Sequence, residues 1–77
     1  MAIHVKYFAH LRDQLGRGED RLAVSEALTV AEVWARLWPA RPLPATILAA
    51  INKEYARLDQ SVQDGDEVAF FPPVTGG

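Results

Sequence analysis

The order of patterns along this chain predicts an α+β domain of two layers, with one main helix covering one face of a mixed sheet of about five strands. Three observations carry that expectation. Ile3, Val5 and Tyr7 alternate with His4, Lys6 and Phe8 near the start, and Glu67 to Phe71 reads as a strand near the end. Between them Val30, Val33, Trp34 and Leu37 fall on one helix face. Ile47-Leu48-Ala49-Ala50-Ile51 is a short unbroken apolar run, the pattern of a central buried strand.

The elements follow in order. After the first strand, Ala9 to Leu15 reads as a short helix ended by Gly16-Arg17-Gly18. Arg21 to Val24 is a second strand with Leu22 and Val24 on one face. Thr29-Val30-Ala31-Glu32 is a capping box, flanked by Leu28 and Val33 at the staple positions. Pro39 ends the helix near Trp38, and Pro39, Pro42 and Pro44 make a stiff, extended connection. Asn52-Lys53 is a turn into a brief strand around Glu54 to Ala56. Asp64-Gly65-Asp66 is a turn into the last strand. Pro72-Pro73 then removes two ladder donors and forces the chain out of the sheet.

Composition narrows the function. The chain has 77 residues and 49% hydrophobic content, which suits one small globular domain. It has no cysteine, so disulfides, thiol nucleophiles and cysteine-ligated metals are excluded. The net charge is −2, the only lysines are Lys6 and Lys53, and the arginines are scattered; this argues against nucleic acid as a partner. No apolar run approaches the roughly 20 residues of a membrane span, and the first residues lack a signal-peptide layout. The cytoplasm is the expected compartment.

Internal chemistry is sparse. His4 and His10 are the only histidines and read as surface residues. Asp64, Asp66 and Glu67 group three carboxylates, but Asp-Gly-Asp is ordinary turn chemistry. No metal site is expected, and no phosphate-binding glycine loop is present. Two features remain. If Tyr7 and Phe70 point inward, Phe8 and Phe71 point outward, and Tyr55 joins them if its strand pairs as read. Neighbouring exposed aromatics mark a partner surface, against the plain alternative of edge closure; Trp38 carries the same ambiguity. The other feature is the end, Val74-Thr75-Gly76-Gly77. Chance places two glycines last in about 0.5% of chains. Glycine makes such an end thin enough to enter a narrow slot, and Pro72 to Gly77 reach about 20 Å. A free carboxylate has a poor leaving group, so another protein would have to activate it before acyl transfer.

Gly65-Asp66-Glu67-Val68-Ala69-Phe70-Phe71-Pro72-Pro73-Val74-Thr75-Gly76-Gly77 resembles the C-terminus of the small subunits of molybdopterin synthase. Leu48-Ala49-Ala50-Ile51-Asn52 and Val5-Lys6-Tyr7-Phe8-Ala9 are also similar to segments of that family. The resemblance implies a ubiquitin-like β-grasp domain over residues 1–71 and an extended tail over 72–77. It implies that the Gly77 carboxylate is adenylated by an ATP-dependent, E1-like enzyme and converted to a thiocarboxylate by a sulfur donor. Val74, Thr75 and Gly76 would then thread into the large synthase subunit, which supplies the catalytic lysine and pocket. Sulfur passes there to cyclic pyranopterin monophosphate to build the molybdopterin dithiolene. By the same resemblance Phe8, Tyr55 and Phe71 face partners, with Tyr55 departing from the more usual aliphatic residue. The chain itself would bind no cofactor, and the assembly would be a heterotetramer of two large and two small subunits. Related carriers for thiamine, cysteine or tRNA thiolation share the Gly-Gly end, and so does a ubiquitin-like modifier attached through Gly77. A binding module with an inert tail is the remaining alternative.

Overall fold

The computed structural model describes residues 2–73. The elements are β1 (Ala2–Tyr7), α1 (Ala9–Leu15), β2 (Glu19–Ala23), β3 (Leu28–Thr29), α2 (Val30–Leu37), β4 (Leu48–Ile51), β5 (Glu54–Ala56), β6 (Ser61–Val62) and β7 (Glu67–Phe71). Five strands form one mixed sheet in the order β2-β1-β7-β4-β5. The β1–β7 pair is parallel and the other three pairs are antiparallel. The α+β expectation holds, with α1 formed over Ala9–Leu15 as the sequence predicts and one addition: β3 and β6 form a small second sheet. A two-residue strand carries no readable period, which is why β3 and β6 escape a sequence reading.

The centre of the sheet differs from expectation. It is β7, while β4 lies between β7 and β5. Leu48 is 39% exposed, so β4 has one core face and one outer face, like its neighbours. Its two alanines made an alternating strand look uniformly apolar.

The inward face is built by alternation. Ile3, Val5 and Tyr7 of β1 and Val68 and Phe70 of β7 are buried, and Ala49 of β4 joins them. Helix α2 covers this face with Val30, Val33 and Trp34. Each such fully buried large side chain contributes roughly 1.5–3 kcal/mol. Trp34 meets Phe70 edge-on, with ring centroids 5.1 Å apart. The Thr29 capping box forms in full: the Glu32 N–H donates to Thr29 Oγ1 at 3.1 Å, and the Thr29 N–H donates to Glu32 Oε1 at 2.8 Å. Trp38 is the C-cap, as Pro39 requires. The connection from Pro39 to Pro44 is less extended than expected. It turns at Arg41, whose N–H reaches Trp38 O, and a second turn follows it, where the Ile47 N–H reaches Pro44 O. The Trp34 indole N–H, donating to Arg41 O at 2.8 Å, holds the first turn against the helix.

Candidate functional site

Alternation on three adjacent strands turns one set of side chains away from α2. On β7 these are Glu67, Ala69 and Phe71; on β4, Leu48 and Ala50. Tyr55 stands opposite Ala50 in the β4–β5 register, and Ala69 lies opposite both Ala50 and Lys6. The small side chains of Ala50 and Ala69 leave a shallow trough of about 370 Å³, which Phe8, Tyr55 and Phe71 line together with Lys6, Lys53 and Glu67. The three aromatic residues singled out in the sequence therefore share one depression. Tyr55 is 77% exposed and Phe8 47%, and the Tyr55 and Phe71 rings lie 5.8 Å apart.

Phe8 reaches this face through an unusual backbone. It caps α1 in an extended conformation, and Ala9 follows with φ of 56°, a left-handed geometry that L-residues disfavour. That kink turns the chain from β1 into α1 while the Phe8 N–H still donates to Phe70 O. A second groove, of about 760 Å³, runs between Phe8, Ala9, His10, Thr46 and Pro72-Pro73, and shares Phe8 and Phe71 with the trough. The aromatic face is thus continuous with the point where the chain leaves the sheet. Pro72 is buried, so the arm is anchored at its first residue and Pro73 is the first exposed one. Val74, Thr75, Gly76 and Gly77, the positions assigned to threading and acyl chemistry, lie outside the described residues.

The charged groups of the trough are arranged unequally. Lys6 Nζ lies 3.0 Å from Glu67 Oε1. Hydrogen bonding to Glu67, and then its charge, raises the Lys6 pKa above the usual lysine value. Lys53 sits in the turn before β5 with φ of 72°, after Asn52 with φ of 50°. Asn52 is clamped to the start of β7: its N–H donates to Glu67 O at 2.8 Å, and its Oδ1 accepts from the Glu67 N–H at 3.0 Å. Its Nδ2 donates to Asp66 Oδ1 at 3.1 Å.

The carboxylate group at the β6–β7 turn serves the backbone. Asp64 Oδ1 accepts from the Ala2 N–H and Asp66 Oδ2 from the Gln63 N–H. Among the described residues no cluster of three potential metal ligands occurs, and no helix is long and apolar enough to cross a membrane. His4 is exposed on the outer side of β1, and His10 is exposed beside the tail-base groove. Trp38, ambiguous in the sequence, is half-buried and packs against Tyr7; it belongs to the core edge. Leu48 and the Lys6–Glu67 pair are the members of the outer face that sequence reasoning missed. The i, i+2 relation of Leu48 to Ala50 was the available signal.

Comparison with known proteins agrees with this geometry. The ThiS family matches residues 5–77. The molybdopterin synthase sulfur carrier subunit of Haemophilus influenzae is 39% identical, covering 97% of this chain and 99% of its own. That of Escherichia coli is 38% identical with the same coverage. Among solved structures, SAMP1, the small archaeal modifier protein 1 of Haloferax volcanii, superposes with a TM-score of 0.82 at 30% identity, with both chains fully covered. The ubiquitin-like β-grasp architecture is thereby shown, and with matches running the length of the domain the chain belongs to the ThiS family, as a relative of the molybdopterin synthase sulfur carrier subunits.

Proposed function

We propose that this chain is the sulfur carrier subunit of a molybdopterin synthase, acting in molybdenum cofactor biosynthesis. The observation that carries this reading is the full-length relation to proteins of that name, with a family match that runs through Gly77. The chemistry follows from what the chain contains. It has no cysteine and no cluster of three potential metal ligands among the described residues, and in this reading the reacting group is the Gly77 carboxylate. An ATP-dependent activating enzyme converts the Gly77 carboxylate to an acyl adenylate, releasing pyrophosphate. A donor that delivers sulfur at the sulfide level then displaces AMP and leaves a thiocarboxylate. The large synthase subunit takes Val74, Thr75 and Gly76 into its pocket, and sulfur passes to cyclic pyranopterin monophosphate. Phe8, Tyr55 and Phe71 supply the docking face for these partners, and the continuity of that face with the Pro72-Pro73 groove supports the assignment. The chain itself holds no cofactor, and the reaction belongs to the cytoplasm.

Intact mass spectrometry after incubation with the activating enzyme, ATP and a sulfur donor tests the reading. The expected gain corresponds to one oxygen exchanged for one sulfur, confined to the C-terminal peptide. An unchanged mass with an activating enzyme shown to be competent overturns it. The similarity to an archaeal modifier protein favours one second reading, attachment of Gly77 to lysines of other proteins. It requires isopeptide-linked adducts in the same experiment when a target protein is added.

A further inference from the structure

Both lysines of this chain line one depression. Lys6 and Lys53 sit at the outer-face trough, and the sequence holds no other lysine. Their surroundings differ. Lys6 is matched by Glu67 at 3.0 Å, whereas Lys53 pairs with no carboxylate among the described residues. The trough therefore carries one uncompensated positive charge beside three aromatic rings, on a chain whose net charge is −2. The backbone bearing that charge is fixed, because Asn52 ties the turn to Asp66 and Glu67 through its main chain and its side chain.

A surface that covers the trough takes the Lys53 ammonium partly out of water. That costs free energy unless a carboxylate arrives with it. Glu67 is committed to Lys6. A second copy of this chain using the same face in a two-fold pair would bring like charge to like.

We infer that the trough receives a protein surface that presents a large apolar side chain flanked by a carboxylate, the apolar group entering between Phe8, Tyr55 and Phe71 and the carboxylate pairing with Lys53. This rests on the docking face proposed above and adds the charge that sets register and partner choice. Lys53 is then a selectivity residue.

Titration calorimetry of the full-length chain against the large synthase subunit, at low and at high salt, tests the inference with Lys53→Glu, Lys53→Gln, Lys53→Arg and Phe71→Ala. At low salt Lys53→Glu is expected to weaken binding on the order of tenfold or more. Lys53→Arg retains affinity, and the loss in Lys53→Gln shrinks at high salt. Melting curves establish that each variant is folded; if Lys53→Glu is not, Lys53→Gln carries the test. Wild-type affinity in Lys53→Glu and Lys53→Gln, with weakened Phe71→Ala, overturns the inference and leaves the docking face standing. Wild-type affinity in all of them overturns the docking face as well. Tighter binding by Lys53→Glu also overturns the inference, as does a wild-type homodimer in sedimentation that Lys53→Glu dissolves.

Discussion

The Trp38 indole N–H donates to the Tyr7 hydroxyl at 2.9 Å, across 31 residues of sequence. The same hydroxyl donates to Asp20 Oδ2, also at 2.9 Å, and Arg17 Nε donates to that oxygen at 2.6 Å. The Arg17 guanidinium lies 4.0 Å from the centre of the Trp38 ring, which closes a circuit of four side chains. It joins the end of α2 to β1 and to the edge strand β2. The polar tips of two large aromatics are satisfied at the rim of the core, where an unmade hydrogen bond is expensive.

Tyr7→Phe is therefore expected to destabilise the fold by about 1–3 kcal/mol, because it strands the Trp38 N–H and removes a donor from Asp20. In a domain of this size that lowers the melting temperature by several degrees. Calorimetric melts of the variant and wild type at neutral pH measure it. Equal melting temperatures would show that the circuit adds nothing beyond the packing of the ring.

The same hydroxyl makes stability sensitive to alkali. Burial first of all raises the Tyr7 pKa well above the ordinary 10, and the hydrogen bond from Trp38 opposes the rise only in part. The folded state thus holds this proton more tightly than the unfolded state does. Its contribution is complete below pH 10 and is lost as pH rises toward the folded-state value. In a Tyr55→Phe variant Tyr7 is the only tyrosine, so phenolate absorbance reports it alone. The signal is expected to stay flat above pH 10 and to appear together with loss of the native circular dichroism. Phenolate absorbance in a still-folded protein at pH 10 would contradict the burial argument.

How much was legible in the sequence depended on how local each cause is. The Thr29-to-Glu32 capping box, the α2 face and the Asn52-Lys53 turn are set by residues within a few positions of one another, and all formed as read. The outward direction of Phe8 and Phe71 follows from alternation with Tyr7 and Phe70, both of which are buried. Strand order did not follow, because the parallel pairing of β1 with β7 joins the two ends of the domain. Trp38 was ambiguous for the same reason: its partner is Tyr7, far away in sequence. In the trough the rings were legible, but the floor was not. Ala50 and Ala69 matter by being small, and only their register shows that they are neighbours.

The capping box gives a prediction at the acid end. The hydrogen bond from the Thr29 backbone is the largest influence lowering the Glu32 pKa below its usual 4.5, followed by the Thr29 side chain. A lowered folded-state pKa means stability that is present above pH 4.5 and lost as pH falls through the folded value. Glu32→Gln is expected to flatten the fall in urea midpoint between pH 5 and pH 3 relative to wild type. Thr29→Ala removes the cap itself and costs about 1 kcal/mol at neutral pH. A Glu32→Gln variant with the wild-type acid slope would assign that slope to other carboxylates.

Lys53 separates folding from binding. With φ of 72° it occupies a left-handed conformation that costs an L-residue about 1–2 kcal/mol, and its side chain makes no ion pair among the described residues to offset that. Lys53→Gly relieves the strain at some cost in chain entropy, so the melting temperature is expected to rise by a few degrees. Asn52 shares the geometry, but its side chain bonds to Asp66 and Glu67; Asn52→Gly is expected to cost about 1–2 kcal/mol. The same Lys53→Gly change deletes the uncompensated charge of the trough, so affinity for the large subunit falls while stability rises. Parallel melts and titrations of the two glycine variants measure both quantities. A Lys53→Gly protein that loses stability would mean that the lysine stem packs against the turn, and its binding defect would then carry no information about charge.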